Sequence, residues 1–359
     1  MIERKKLGIY LIIFAILPIS MLSIVSASLS EDNNPKITSY NQRVELSCTI
    51  FTISIGSTTY FGNNEDYCLS GTYVWLIPTQ LIYTTHGTMN TYGVIGLLFN
   101  HNGDSEDGIV QGGMNDQGLC GDANGLPAMP LNPHHSRESI YTDIILEVLF
   151  ECSKVTEVID WFQTHDLGVS MAGQYHFADA SGQAVVISAG DDGELAFTQR
   201  ENSYHIVSTN FNLANPDNGN YPCDRYIQAD QMLSEILYED QITVDTCKDV
   251  LNAVHQEGLY GTKYSNIFDL KEKEMHLYRD ANFQQKISIG LEKELQKIQS
   301  EDSDVKVKPP FYYKEIEMES LFSPNLTSRI IFTFFLIYSV ISAIMIMLML
   351  NKYKIRGAH

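Results

Sequence analysis

Cys48 opens a strand-like run, Thr49-Ile50-Phe51-Thr52-Ile53-Ser54-Ile55. A short turn at Gly56-Ser57 follows, and a second run ends in Phe61-Gly62-Asn63-Asn64-Glu65-Asp66. A thiol titrates at about 8.5, so it needs a base or a thiolate-stabilising partner to act as a nucleophile at neutral pH. Cleavage of the Ser47–Cys48 bond would put that base on the same residue. A free α-amine titrates at about 8 and can take the thiol proton and later hand it to a leaving amine. Asp66, at the end of the returning strand, is placed to orient the ammonium form. Uncharged amides suit an oxyanion hole, because they donate hydrogen bonds without adding a competing proton site. Asn124 and Asn210 are the candidates. Together these groups describe amide hydrolysis by a self-processed N-terminal cysteine.

The elements that must position them are mostly strands. Thr49–Ile55 and Thr59–Asn63 read as a hairpin. Residues 92–99 form an apolar, β-rich run. Residues 176–178 and 184–188 flank a turn at Asp179-Ala180-Ser181-Gly182. Residues 195–199 and 204–209 read as another pair, and 275–278 and 286–289 as late strands. Residues 140–165, 225–239 and 244–256 carry apolar side chains at helical spacing. Strands at both ends with helices grouped between them predict an α+β fold, helices layered on antiparallel sheets, rather than a βαβ alternation.

The order of the motifs resembles the choloylglycine hydrolase and penicillin V acylase group of N-terminal-nucleophile hydrolases. Cys48-Thr49 and Phe61-Gly62-Asn63-Asn64-Glu65-Asp66 resemble its opening hairpin. Gly113-Met114-Asn115-Asp116-Gln117-Gly118-Leu119 looks like its turn motif, with Asn124 shortly after. Ser208-Thr209-Asn210-Phe211 looks like its Thr-Asn segment, and Asp224-Arg225-Tyr226 like its downstream Arg-Tyr. The resemblance spans roughly residues 48 to 295. It implies a four-layer αββα sandwich and hydrolysis of a linear amide in a small N-acyl compound, with no metal or organic cofactor. It also implies roles: Cys48 as nucleophile and base, Asp66 holding the amine, Asn124 and Asn210 at the oxyanion, and Arg225 bracing the site. One position departs from the pattern. Many relatives carry Arg after the glycine of the second strand, where this chain has Asn63.

The chain has 359 residues and a net charge of −20, from 24 Lys and Arg against 44 Asp and Glu. That balance argues against nucleic-acid binding, which needs a basic footprint. An apolar run from Leu7 to about Val25 follows Arg4, Lys5 and Lys6 and precedes Val25-Ser26-Ala27, so residues 1–27 read as a signal peptide or N-terminal anchor. Residues 28–47 read as a propeptide or spacer and 48–300 as the catalytic domain. Residues 301–329 read as a stalk, on their charge runs and Pro309-Pro310. The uncharged run Ile330–Leu350 is long enough to cross a membrane, and Lys352, Lys354 and Arg356 put the tail 351–359 in the cytoplasm. The expectation is a domain displayed outside the cell on one C-terminal transmembrane helix.

Six cysteines (Cys48, Cys68, Cys120, Cys152, Cys223 and Cys247) include no CxxC pair, which argues against zinc. Their pairing stays open. His134-His135 reads as a solvated loop, and His86, His101 and His176 lack metal-ligand spacing. Two other readings compete. A dipeptidase of the same catalytic class also begins Cys-Thr and carries an Asn-Glu-Asp stretch, as at Asn64-Glu65-Asp66. A non-catalytic, membrane-tethered binding ectodomain would keep the fold and leave Ser47–Cys48 intact.

Overall fold

In the structure, a computed structural model, residues 48–322 are described apart from 68–70, 85–86, 100–108, 201, 220, 259, 301–304 and 309–310. The leader and spacer (1–47), the apolar segment 330–350, the tail 351–359, Cys68, His86 and His101 lie outside the described residues. Among the described residues no helix is long and apolar enough to cross a membrane.

The opening hairpin is β1 (Thr49–Ile55) and β2 (Thr58–Asp66). Its turn takes a positive φ of 63° at Gly56, which glycine adopts without strain. The hairpin lies at the centre of a six-stranded antiparallel sheet. His205–Ser208 pairs with β1 on one side, and the meander Thr262–Asp269, Glu274–Arg279 and Asn282–Gly290 continues from β2 on the other. A second, nine-stranded sheet runs in the order Leu195–Gln199, Ala184–Ala189, Ser170–Ala178, Cys120–Pro130, Ile109–Asn115, Val94–Phe99, Thr72–Ile77, Phe311–Glu317 and Val305–Lys308.

Three apolar layers hold these sheets together. Ile50, Phe61, Leu76, Val186 and Phe268 pack between the two sheets. On the outer face of the larger sheet, helices α1 (Ile144–Glu151) and α2 (Val155–Thr164) cover Trp75, Leu98, Phe177 and Ile187. On the outer face of the smaller sheet, α3 (Asp224–Ser234) and α4 (Val244–Ala253) cover Phe51, Ile53, Val207 and Ile267. The layer order is therefore αββα. Central strands such as β1, Val94–Phe99 and Ala184–Ala189 are buried on both faces because each sheet is covered on both sides.

Three expectations change. The helical run 140–165 is two helices. The Asn115 amide donates to the carbonyls of Leu149 and Cys152 and so closes α1, while Asp179 accepts from the Val155 N–H and opens α2. The strands near 195–199 and 204–209 do not pair with each other but edge different sheets. Part of the stalk segment 301–329 belongs to the domain. Phe311–Glu317 pairs antiparallel with Thr72–Ile77, burying Phe311 and Tyr313 beside Trp75. Its alternation was masked by Lys314, Glu315 and Glu317, of which Glu315 accepts from the Trp75 indole N–H at 3.0 Å.

Candidate active site

The two-residue turn fixes the hairpin register, so that Thr49 faces Asn64 and, one step further out, Cys48 faces Glu65. Side chains alternate across a strand. Asn63 and Glu65 therefore point between the sheets, on the side of Cys48, while Asn64 and Asp66 point toward the helices. Asn64 donates to the Leu251 carbonyl of α4 and accepts from Ser265. Asp66 accepts from the Thr262 hydroxyl through Oδ1. Its other oxygen, Oδ2, is buried without a hydrogen-bond partner and lies 3.9 Å from Arg225 Nη1.

Arg225, in the first turn of α3, ties the end of β1 to the segment after residue 208. Its Nη1 donates to the Cys48 carbonyl at 2.7 Å and to the Thr49 hydroxyl at 2.8 Å, and its Nη2 donates to Asn210 Oδ1 at 2.9 Å. Asn210 Nδ2 in turn donates to the Gly125 carbonyl at 3.0 Å. The planar guanidinium thus holds the backbone of Cys48 and orients the Asn210 amide together, a task that suits its fixed fork of donors.

Cys48 opens onto a cavity of about 280 Å³ between Cys120–Pro130 and Ser170–Ala178, lined also by Glu65, Asn124, Gly125, Met171 and Tyr175. Asn124 is fully buried in this wall, and both ends of its amide lack a partner. An unpaired buried amide is costly, and here neither its donor nor its acceptor is taken by the described residues.

The thiol of Cys48 donates to Glu65 Oε1 at 3.3 Å. Asn63 Nδ2 donates to Glu65 Oε2 at 3.1 Å and to Asp122 Oδ2 at 2.9 Å. Asp122 fits because Gly112, its neighbour across the sheet, has no Cβ; one there would meet Asp122 Oδ2 at 2.1 Å. Burial pushes the Cys48 thiol well up, and the nearby Glu65 and Asp66 carboxylates push the same way. Burial also raises Glu65 and Asp122, which face each other across the Asn63 amide. Asp66 is pushed up to about 8 by burial, against the Thr262 hydroxyl and Arg225. A thiolate in this setting lacks a stabilising cation, since among the described residues no Lys, Arg or His lines the cavity.

No protein-family profile matches the chain, and no curated protein resembles it in sequence. Solved structures do resemble it. Two variants of the conjugated bile acid hydrolase from Clostridium perfringens superpose with TM-scores of 0.55 and 0.54, each at 14% identity, covering 77% and 78% of this chain and 99% of theirs. Penicillin V acylase from Agrobacterium tumefaciens gives a TM-score of 0.51 at 15% identity, over 65% of this chain and 82% of its own. The chain shares the fold of these two hydrolases.

Within this fold, all five residues expected from the sequence are brought together. Cys48 and Asn124 face the cavity, and Asp66, Asn210 and Arg225 form the bonded network behind it. Four participants were not singled out: Glu65 on the thiol, Asp122 behind it, Thr262 on Asp66 and Thr49 on Arg225. The signal for Glu65 was present, because a two-residue turn at 56–57 makes 48 and 65 cross-strand partners. Asp122 and Thr262 come from other strands, and no local pattern ties them to Cys48.

Other eye-catching residues are structural. His176, buried between the sheets, bonds Thr52 Oγ1 and Ser208 Oγ at 2.9 Å each, and burial lowers it to about 3, so it is neutral. His134 and His135 face Glu194 and Asp166 on the surface. The five described cysteines are all free and buried. Among the described residues no group of His, Cys, Asp and Glu could hold a metal ion.

Proposed function

We propose that the chain is a hydrolase of linear amides in N-acyl compounds, with Cys48 as nucleophile once the Ser47–Cys48 bond is cut. The observation that carries this reading is the unpartnered, buried Asp66 Oδ2 close to Arg225, which itself grips the Cys48 carbonyl. A free α-ammonium on Cys48 would give that oxygen the hydrogen-bond donor it lacks and a counter-charge nearer than Arg225. In the uncut chain the nitrogen is an amide and carries no charge.

The steps follow from the chemistry. The α-amine accepts the thiol proton and Sγ attacks the acyl carbon. Asn124 Nδ2 and the remaining Asn210 N–H donate to the oxygen as charge develops on it. The ammonium then protonates the leaving amine, and water, deprotonated by the same amine, releases the acid from the thioester. Arg225 keeps the Cys48 backbone and the Asn210 amide in register while bonds change. The named activities of the two structural neighbours, both hydrolytic, support this reaction class.

The apolar segment Ile330–Leu350 and its basic flank support a domain tethered to a membrane on the extracytoplasmic side. The test is turnover of a panel of N-acyl amides by the purified protein, with intact-mass detection of an acyl group on Cys48. Turnover with a trapped thioester supports the reading. Turnover that survives Cys48→Ala would overturn the nucleophile, and no turnover of any member by protein beginning at Cys48 would overturn the function.

A further inference from the structure

We propose that Glu65 sets substrate choice, selecting amides whose acyl part carries a primary ammonium group beside the scissile carbonyl. This rests on the amide-hydrolase reading above.

Three observations converge. Glu65 is 2% exposed, and among the described residues no Lys, Arg or His lines the cavity. The second carboxyl, Asp122, is fully buried behind it, and a neutral amide joins the two where a cation would be expected. Among the described residues neither carboxyl forms an ion pair, whereas Asp66 at least has Arg225. A buried carboxylate without a counter-ion is costly; it takes up a proton or accepts a cation.

The second, independent feature is Asn124. Its Oδ1 is a buried acceptor with no partner on the same cavity wall. An ammonium has three hydrogens to place, and this wall carries Glu65 Oε1, which accepts only from the Cys48 thiol, and the buried, unpartnered Asn124 Oδ1. A carboxylate-bearing acyl group would meet only repulsion from Glu65 and Asp122.

Reach decides where the charge sits on the substrate. Glu65 Oε1 is 3.3 Å from Sγ, and a carbonyl carbon poised for attack lies roughly 3–3.5 Å from the same sulfur. A nitrogen on the carbon next to that carbonyl is therefore within hydrogen-bonding range of Glu65 in poses that turn it to the Glu65 side of the sulfur. Replacing it by a methyl group keeps the size but removes a charge-assisted bond and strands the carboxylate. Sites built this way discriminate strongly.

The experiment compares glycyl and propionyl p-nitroanilide, which differ by an ammonium in place of a methyl group, on the purified full-length product at pH 7.5. The expected result is a kcat/KM at least 100-fold higher for the glycyl compound. In Glu65→Gln the ratio should fall to near one. Glycinamide should also inhibit the wild-type protein more tightly than propionamide, a measurement that needs no variant. Propionyl turnover equal to or above glycyl turnover would overturn the specificity and leave the hydrolase reading standing. Loss of both substrates, with other N-acyl amides also inert, would remove both.

Discussion

The Arg225 guanidinium donates to the backbone carbonyl of Cys48 at 2.7 Å. A side chain from the first turn of a helix thus fixes the backbone of Cys48. The same guanidinium reaches Asn210, so the proposed nucleophile and one proposed oxyanion donor share a single anchor.

Arg225→Lys should therefore cost activity even though it keeps the positive charge. A single ammonium cannot reproduce the fork that spans Cys48, Thr49 and Asn210. The expected result is a fall in kcat of roughly 10- to 100-fold, with KM changed less, and a Tm lower by a few degrees for the lost charged hydrogen bonds. Steady-state kinetics and thermal melts check both.

Asn124→Ala should separate catalysis from stability. Both ends of the Asn124 amide are unpartnered in the folded chain, so truncation breaks no bond and removes an uncompensated polar group. Tm should hold or rise slightly. The rate should fall by about 10²–10³-fold, the cost of one oxyanion donor. A large loss of Tm with activity retained would assign Asn124 to the fold.

The uncut chain should lose stability as pH rises. Folding raises Asp66 from the ordinary carboxylate range to about 8. Its contribution is complete below the unfolded value of about 4 and is lost as pH climbs through about 8. Glu65 and Asp122 act with the same sign, while Arg225 and Thr262 oppose it at Asp66. In Cys48→Ala, which cannot cut itself, Tm should drop on the order of 5 °C between pH 5 and pH 8.5. Asp66→Asn in that background should flatten the slope. In cut wild-type protein, the new ammonium at Cys48 should flatten it too.

Thr262→Val should uncouple Asp66 from its sheet. The hydroxyl is the one hydrogen-bond donor to the Asp66 side chain among the described residues. Removing it at nearly constant volume leaves the carboxyl anchored only by the more distant Arg225. The expected outcome is slower appearance of mature protein and a lower kcat, read by a time course of intact mass and by kinetics.

The opening hairpin, the site residues and the paired layers were legible because they are local or ordered motifs. Gly56-Ser57 fixes a register, and helical spacing marks α3 and α4. What was not legible depends on distant partners. Thr72–Ile77 lacks a clean two-residue alternation because the covered sheet buries both faces of its second half. Phe311–Glu317 read as part of a tether because of the charge runs around it and Pro309-Pro310, and partners far away in sequence, Trp75 and Phe150, give its aromatic residues a surface to cover. Asn63 could be marked as a departure from sequence. That it joins two buried carboxyls could not, since Asp122 arrives from the other sheet.

The central claim is that Cys48 acts with its own free amine, and the N-terminus of the purified protein tests it most directly. Intact mass and terminal sequencing should find mature chains beginning at Cys48, with Cys48→Ala remaining uncut. A fully active protein that keeps the Ser47–Cys48 bond would contradict the account, because a nitrogen held in an amide cannot serve as the base.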